Sequence, residues 1–171
     1  VPEVATMDKL LWQDAREKAQ VVLDKYWDGK YPVKIAAISE AMGVTPHLAQ
    51  LPDKVSGLII KSPGQESADS YADVSESAVR RRFTLSHELG HYVERVTLGK
   101  DENFSFVERR EPGKYDLHEF YADEFAGSLL MPSIDFREKV RHDGIISAAQ
   151  YFGVSLAAAQ KRLERLEKHE N

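Results

Sequence analysis

Two histidines separated by three residues form the part of the sequence most able to do chemistry. His87, Glu88 and His91 stand in the pentapeptide His-Glu-Leu-Gly-His. On an α-helix, residues four positions apart lie on nearly one face, about 6 Å apart along the axis. Both imidazoles could therefore bind one zinc ion (Zn2+), and Glu88 could accept a proton from a water molecule that the metal activates. The spacing predicts a zinc-dependent hydrolase with His87 and His91 as ligands and Glu88 as general base.

A catalytic zinc site needs a third protein ligand, and the next predicted helix offers acidic side chains. The chain has no cysteine, so this ligand must be His, Asp or Glu. Glu119 and Asp123 are four residues apart and share a helix face with Ala122 and Ala126, whose small side chains would let two helices approach closely. We predict Glu119 as the third ligand and Asp123 as the acceptor that orients a ligand histidine through its other ring nitrogen. The alternative is that both carboxylates are surface groups.

Composition limits the classes of protein and partner. The chain has 171 residues, of which 42% are hydrophobic, enough for one well-packed domain. Its formal charge of −5 argues against nucleic acid as a partner. No apolar run approaches the roughly 18 residues that a membrane span requires, and no signal peptide is recognisable. Since cysteine is also absent, we expect a cytoplasmic protein that binds neither membrane nor DNA. The oligomeric state is left open.

Hydrophobic spacing predicts the elements that must position these residues. Seven helices are predicted, at about 6–28, 32–42, 76–96, 116–130, 133–141, 144–152 and 155–168. The first begins at the N-cap Thr6, and the third carries the pentapeptide. β-type runs at Val55–Lys61 and 71–74 predict strands, and the charged residues 99–115 predict a loop. The expected class is α+β: mainly helical, with a small antiparallel sheet of about three strands and a two-helix zinc core.

The C-terminal part is predicted to be helical and to resemble a helix-turn-helix around Gly153 and Ser155. We expect a zinc metallopeptidase domain over residues 1–132 and a helical extension over 133–171 packed on it, with one single domain as the alternative. The second helix of this motif begins with leucine and alanines, which are poor readers of base edges. A packing or partner-docking role is therefore favoured over DNA binding.

Three blocks of sequence, taken in order, resemble the ImmA/IrrE family of metallopeptidases. They are 82–91, 119–126 and 129–132. The resemblance implies a zinc ion held by His87, His91 and Glu119, with Glu88 as the base. The chain differs from the family in having Asp123 where Asn is usual and Tyr121 where a second Glu is common. Neither difference affects a proposed ligand.

The resemblance also implies a substrate class. Such a protein would be a site-specific endopeptidase whose protein substrate is a regulatory protein, such as a phage- or mobile-element-type helix-turn-helix repressor. The alternative is a non-catalytic regulator or antitoxin-like partner that binds a repressor or toxin. In such a protein, zinc would only hold two helices together. The donor to the oxyanion is not identified by the sequence; candidates by residue type are Tyr92, His118, Tyr121, His142 and Tyr151.

Overall fold

Helices make up most of the chain that the computed structural model describes, which is residues 10–99, 104–109 and 115–170. The α-helices of these ranges are α1 (Leu11–Tyr26), α2 (Ile35–Ala41), α3 (Ala78–Glu94), α4 (Leu117–Leu130), α5 (Ser133–Asp143), α6 (Ile145–Phe152) and α7 (Leu156–Lys168). A π-helical turn, Arg95–Gly99, continues α3. The predicted α+β class, mainly helical, is confirmed. The predicted N-cap Thr6 lies outside the described residues.

The strands of the described residues form one small mixed sheet. They are β1 (Val44–Ala49), β2 (Val55–Lys61), β3 (Ala68–Asp73) and β4 (Phe104–Arg109). The order across the sheet is β1-β3-β2-β4. β1 is parallel to β3, whereas β2 is antiparallel to both β3 and β4. The sheet thus has one more strand than expected and is not wholly antiparallel.

Pairing between distant segments explains both differences from the predicted sheet. β1 contains Pro46, which has no backbone N–H and is tolerated because β1 lies at an edge of the described sheet. β4 falls inside the predicted loop at 99–115, which is therefore wrong for this segment. Phe104 pairs with Lys61 and Arg109 with Val55. The segment contains Phe104, Phe106 and Val107, residue types that favour strands, and the edge of β2 supplies its hydrogen bonds.

Close packing of α3 against α4 brings the two chemically interesting segments together. Gly90 of α3 faces Ala122 of α4, and a Cβ atom built on Gly90 would lie only 2.9 Å from Ala122 Cα. Leu89 and Phe125 are fully buried beside this contact. The small residues expected at this interface do allow the two helix backbones to approach closely.

Side-chain caps determine the residues at which α4 and α7 begin. The Asp116 side chain accepts a hydrogen bond from the backbone N–H of Glu119 at 2.9 Å and so caps α4. The predicted N-cap Ser155 accepts from Ala158 N at 3.0 Å and begins α7. Such caps satisfy backbone donors that have no partner within the helix. They therefore set the register of Glu119 and of the α7 side chains.

The C-terminal helices contact the part of the chain that carries α4. Arg162 of α7 is buried, and its Nε donates to the carbonyl oxygen of Met131 at 3.1 Å. The predicted division between residues 132 and 133 stays a prediction. In the described residues, no helix combines the length and the apolar character needed to cross a membrane.

Candidate metal centre

Three side chains from α3 and α4 converge with their donor atoms toward one point. His87 Nε2 lies 2.9 Å from Glu119 Oε2, and His91 Nε2 lies 3.2 Å from Glu119 Oε1. The two Nε2 atoms are 3.1 Å apart. One ligand atom from each residue lies within 4.8 Å of the others, a grouping that could hold a metal ion. The structure thus brings together the three residues that the sequence predicts as ligands; that they bind a metal stays a prediction.

These distances fit a zinc ion. Zinc–nitrogen and zinc–oxygen bonds of roughly 2.0–2.1 Å at tetrahedral angles place neighbouring ligand atoms about 3.4 Å apart. The two imidazole nitrogens are 3.1 Å apart and lie 2.9 and 3.2 Å from different oxygens of Glu119, all a few tenths of an ångström shorter. Small outward movements of side chains would therefore suffice. The donors, two imidazoles and one carboxylate, are also those of a zinc site that keeps a position open for catalysis.

Burial makes the two rings suitable as neutral ligands. His87 and His91 are 4% and 1% exposed. Burial lowers the pKa of His91 below its ordinary value, although the hydrogen bond with Glu119 acts in the opposite direction. A histidine binds a metal through an unprotonated nitrogen, so a lowered pKa favours the form that binds at neutral pH.

Asp123 contacts the side of His87 that faces away from Glu119. Asp123 Oδ1 lies 2.7 Å from His87 Nδ1. Although burial opposes it, the hydrogen bond with His87 lowers the pKa of Asp123 below its ordinary value, so the carboxylate is ionised at neutral pH. An ionised carboxylate can only accept, and His87 Nδ1 must therefore carry the proton. In the neutral ring, Nε2 then carries no hydrogen, and its lone pair is directed at Glu119 and His91, as a ligand would require.

A tyrosine and an arginine that the sequence did not indicate complete the surroundings of Asp123. The Tyr115 hydroxyl donates to Asp123 Oδ2 at 2.9 Å, and Arg165 Nη2 donates to the Tyr115 oxygen at 2.9 Å. Tyr115 immediately precedes the cap of α4, whereas Arg165 lies on α7. Because 50 residues separate the two, no local spacing could have revealed their contact with each other.

Glu88 lies at the face of α3 that packs on the sheet. Its side chain is fully buried, and a Cβ atom on Gly57 of β2 would lie 3.1 Å from Glu88 Oε1. A β-bulge between Val55 and Gly57 interrupts the pairing of β2 with β4 at this point. Bulges often adjust a strand next to a functional group. Gly57 is therefore a third residue that sequence spacing missed; a glycine inside a predicted strand was the available signal.

Four tyrosine and histidine candidates for the oxyanion donor are engaged with other residues. The Tyr92 hydroxyl donates to Met42 O at 3.3 Å, and the Tyr121 hydroxyl donates to Asp14 at 2.7 Å. Tyr151 packs edge-on against Phe152 and at a tilt against Tyr31, and His142 lies 4.0 Å from Glu138 along α5. These contacts give all four a structural explanation.

His118 is the remaining candidate, and both of its ring nitrogens have neighbours. Its Nδ1 lies 2.7 Å from Glu94 Oε1, and its Nε2 lies 3.2 Å from Arg95 Nη2. Because an arginine can only donate, His118 Nε2 accepts and Nδ1 donates to Glu94. No ring N–H is then left for an oxyanion in this arrangement. The oxyanion donor stays unassigned among the five candidates.

Comparison with known protein families agrees with the geometry. A peptidase family model matches residues 72–164, and its description is the IrrE N-terminal-like domain. The match includes α3, α4 and the whole candidate metal centre. A search of curated proteins finds no match. Because the family model covers more than half of the chain, the chain belongs to the ImmA/IrrE family, whose members are generally metal-dependent peptidases.

Proposed function

We propose that this protein is a zinc-dependent, site-specific endopeptidase that cleaves a regulatory protein, such as a helix-turn-helix repressor. The observation that carries the proposal is the convergence of His87, His91 and Glu119 beside the buried Glu88. When bound there, zinc would act as a Lewis acid that lowers the pKa of water and polarises a peptide carbonyl.

Glu88, Asp123 and the two histidine rings each have a separate role in the reaction. Glu88 takes a proton from the attacking water as the new C–O bond forms. It then delivers that proton to the amide nitrogen as the C–N bond breaks, so that one water is consumed and a carboxyl and an amine group are released. Asp123 holds His87 in the tautomer that leaves Nε2 available. Burial of both histidine rings keeps competing water away from the ligand atoms.

The choice of substrate rests on family resemblance and on access. The chain belongs to a family of peptidases, and its resemblance to that family implies a repressor as the substrate. Glu88 is fully buried, so a substrate segment must be extended to reach it. An exposed linker of a partner protein meets this requirement, whereas a folded protein without such a segment does not. These considerations favour one specific partner over general proteolysis.

The decisive experiment pairs two isosteric variants. The zinc-loaded chain is incubated with a helix-turn-helix repressor encoded by an adjacent gene, with and without a chelator. Glu88→Gln should retain one zinc per chain and lose cleavage, by a factor of about 100 or more for a lost general base. Glu167→Gln, an exposed glutamate on α7, is the matched control and should cleave like the wild type.

Other outcomes separate the competing functions. If the wild type binds zinc and the repressor but never cleaves it, and Glu88→Gln changes nothing, the chain is a non-catalytic regulator stapled by zinc. Salt-sensitive binding to duplex DNA in place of repressor binding would identify a DNA-binding regulator. If the double variant His87→Ala, His91→Ala retains full zinc stoichiometry, the proposed site itself is wrong.

A further inference from the structure

A line of polar contacts connects the C-terminal helix with the candidate metal centre. Arg165 of α7 donates to the Tyr115 oxygen at 2.9 Å, and the Tyr115 hydroxyl donates to Asp123 at 2.9 Å. Asp123 in turn lies 2.7 Å from Nδ1 of His87. Each oxygen of Asp123 therefore has its own partner, and the carboxylate cannot rotate without losing one of them.

Tyr115 supplies the hydrogen bonds of this line, beside a longer ion pair between Arg165 and Asp123. Arg165 Nη2 lies 3.9 Å from Asp123 Oδ2, which is too far for a direct hydrogen bond. The tyrosine hydroxyl accepts from the arginine and donates to the carboxylate, so one group satisfies both. The Tyr115 residue is 54% exposed, so its side chain contributes little to the hydrophobic core. Removal of this hydroxyl should leave the fold intact and break the line at one defined point.

Arg165 is itself held in place by neighbouring elements. Its guanidinium lies 5.0 Å from the centre of the Phe120 ring and 3.7 Å from Glu124 Oε2. The α7 backbone around it is bound by Arg16 of α1, whose guanidinium donates to the carbonyl oxygen of Arg165 at 3.1 Å. Arg16 also pairs with Glu124 at 3.2 Å. Packing of α1, α4 and α7 therefore fixes where the arginine stands.

We infer that Tyr115 and Arg165 are positioning residues of the metal centre, which hold Asp123 so that it fixes His87 with Nε2 toward the metal. The inference rests on the proposed function and extends it to a role for the C-terminal helix. Neither residue touches a ligand atom, so both act only through Asp123. In this arrangement α7 supports tight metal binding, although it contributes no ligand.

Zinc affinity, measured by competition with a chromophoric chelator, tests the inference without any substrate. Contacts that orient a metal ligand are typically worth about 10–100-fold in affinity. Tyr115→Phe and Arg165→Met act one step further away, so we expect each to weaken zinc binding by about 3–10-fold. Tyr151→Phe, on α6, and Lys168→Met, exposed on α7, are matched controls and should change it by less than about twofold. Thermal unfolding of the metal-free variants checks that Tyr115→Phe folds like the wild type.

Combining Tyr115→Phe with Asp123→Ala distinguishes a positioning role of Tyr115 from a general structural effect. In Asp123→Ala the line is already broken at the carboxylate, so adding Tyr115→Phe should change zinc affinity by less than about twofold. An equal loss in both backgrounds would show that Tyr115 acts by another route and would overturn the inference.

The inference and the proposed function can fail separately. If wild type binds zinc through His87 and His91 but Tyr115→Phe binds it equally tightly, the positioning role is wrong and the site stands. If the wild type binds no zinc, the proposed function fails, and the inference fails with it.

Discussion

The contact between Gly90 and Ala122 makes the strongest quantitative prediction about how the metal centre is built. Replacing Gly90 by alanine would put a Cβ atom 2.9 Å from Ala122 Cα, 3.1 Å from Ala122 O and 3.2 Å from Phe125 Cβ. Carbon atoms in contact ordinarily lie about 3.5–4.0 Å apart. Two of the three obstructing atoms belong to the α4 backbone, so they cannot turn away. The helices must separate by some tenths of an ångström at the level of the ligands.

Gly127 offers a matched substitution that isolates this steric effect. It also lies within a buried helix, but a Cβ atom there would meet only Arg162 Cδ, at 3.4 Å. Both changes gain about 0.8–1.0 kcal/mol in helix propensity. Only Gly90→Ala adds an overpacking penalty, about 1–3 kcal/mol. We therefore expect the free energy of unfolding of Gly90→Ala to be lower than that of Gly127→Ala by about 1–3 kcal/mol. Each kcal/mol should lower the melting temperature by about 2–4 °C.

Two measurements on the same pair of variants test this reasoning. Urea unfolding of the metal-free proteins gives the difference in the free energy of unfolding. Chelator competition gives zinc affinity, which should fall about tenfold in Gly90→Ala because Glu119 moves away from both rings, and stay unchanged in Gly127→Ala. Equal stability and equal zinc affinity in the two variants would refute the claim that this contact sets the spacing of the ligands.

Three further predictions concern charge, sterics and pH. Glu124→Ala should leave the ligands in place but destabilise the fold by about 3–5 kcal/mol, because it removes the buried carboxylate that pairs with Arg16; urea unfolding measures this, and an effect below 1 kcal/mol would contradict it. Gly57→Ala should lower cleavage and preserve zinc stoichiometry, because its Cβ atom would clash with Thr84 Cγ2 and lie 3.0 Å from Tyr71 O and 3.1 Å from Glu88 Oε1, so that β2 and α3 must shift beside the base; unchanged cleavage would count against this position. Since burial lowers the pKa of His91, the folded metal-free chain binds fewer protons than the unfolded chain below about pH 6.5. Its stability should therefore fall between pH 7.5 and 5.5, and by less in His91→Asn.

Local spacing was sufficient to predict the helices and which residues each of them presents. The pair His87 and His91, and the pair Glu119 and Asp123, follow from the helical repeat, which depends only on neighbouring residues. The cap Ser155 could be predicted for the same reason, since a cap acts within one helical turn. The family resemblance rests on these same local blocks, and the family model agrees with it.

Pairings between distant segments could not be read from the sequence. β4 is a strand because β2 offers it hydrogen bonds, although the charged residues, Gly and Pro on either side of it favoured a loop. β1 became the parallel neighbour of β3 through a crossover that no local pattern specifies. The energy of such pairing depends on which edge is available in the folded chain, and this is a property of the whole sheet.

Local spacing alone specifies the chemistry: two imidazoles and a glutamate on one helix, and a carboxylate pair on the next. That these groups meet is a property of the folded chain, because convergence depends on how closely α3 and α4 cross at Gly90. The contact of Tyr115 and Arg165 with Asp123 likewise depends on the folded chain. The physical reason is that the helical repeat depends on neighbouring residues and fixes the direction of the side chains. The distance between two helices depends instead on how segments far apart in the chain pack together.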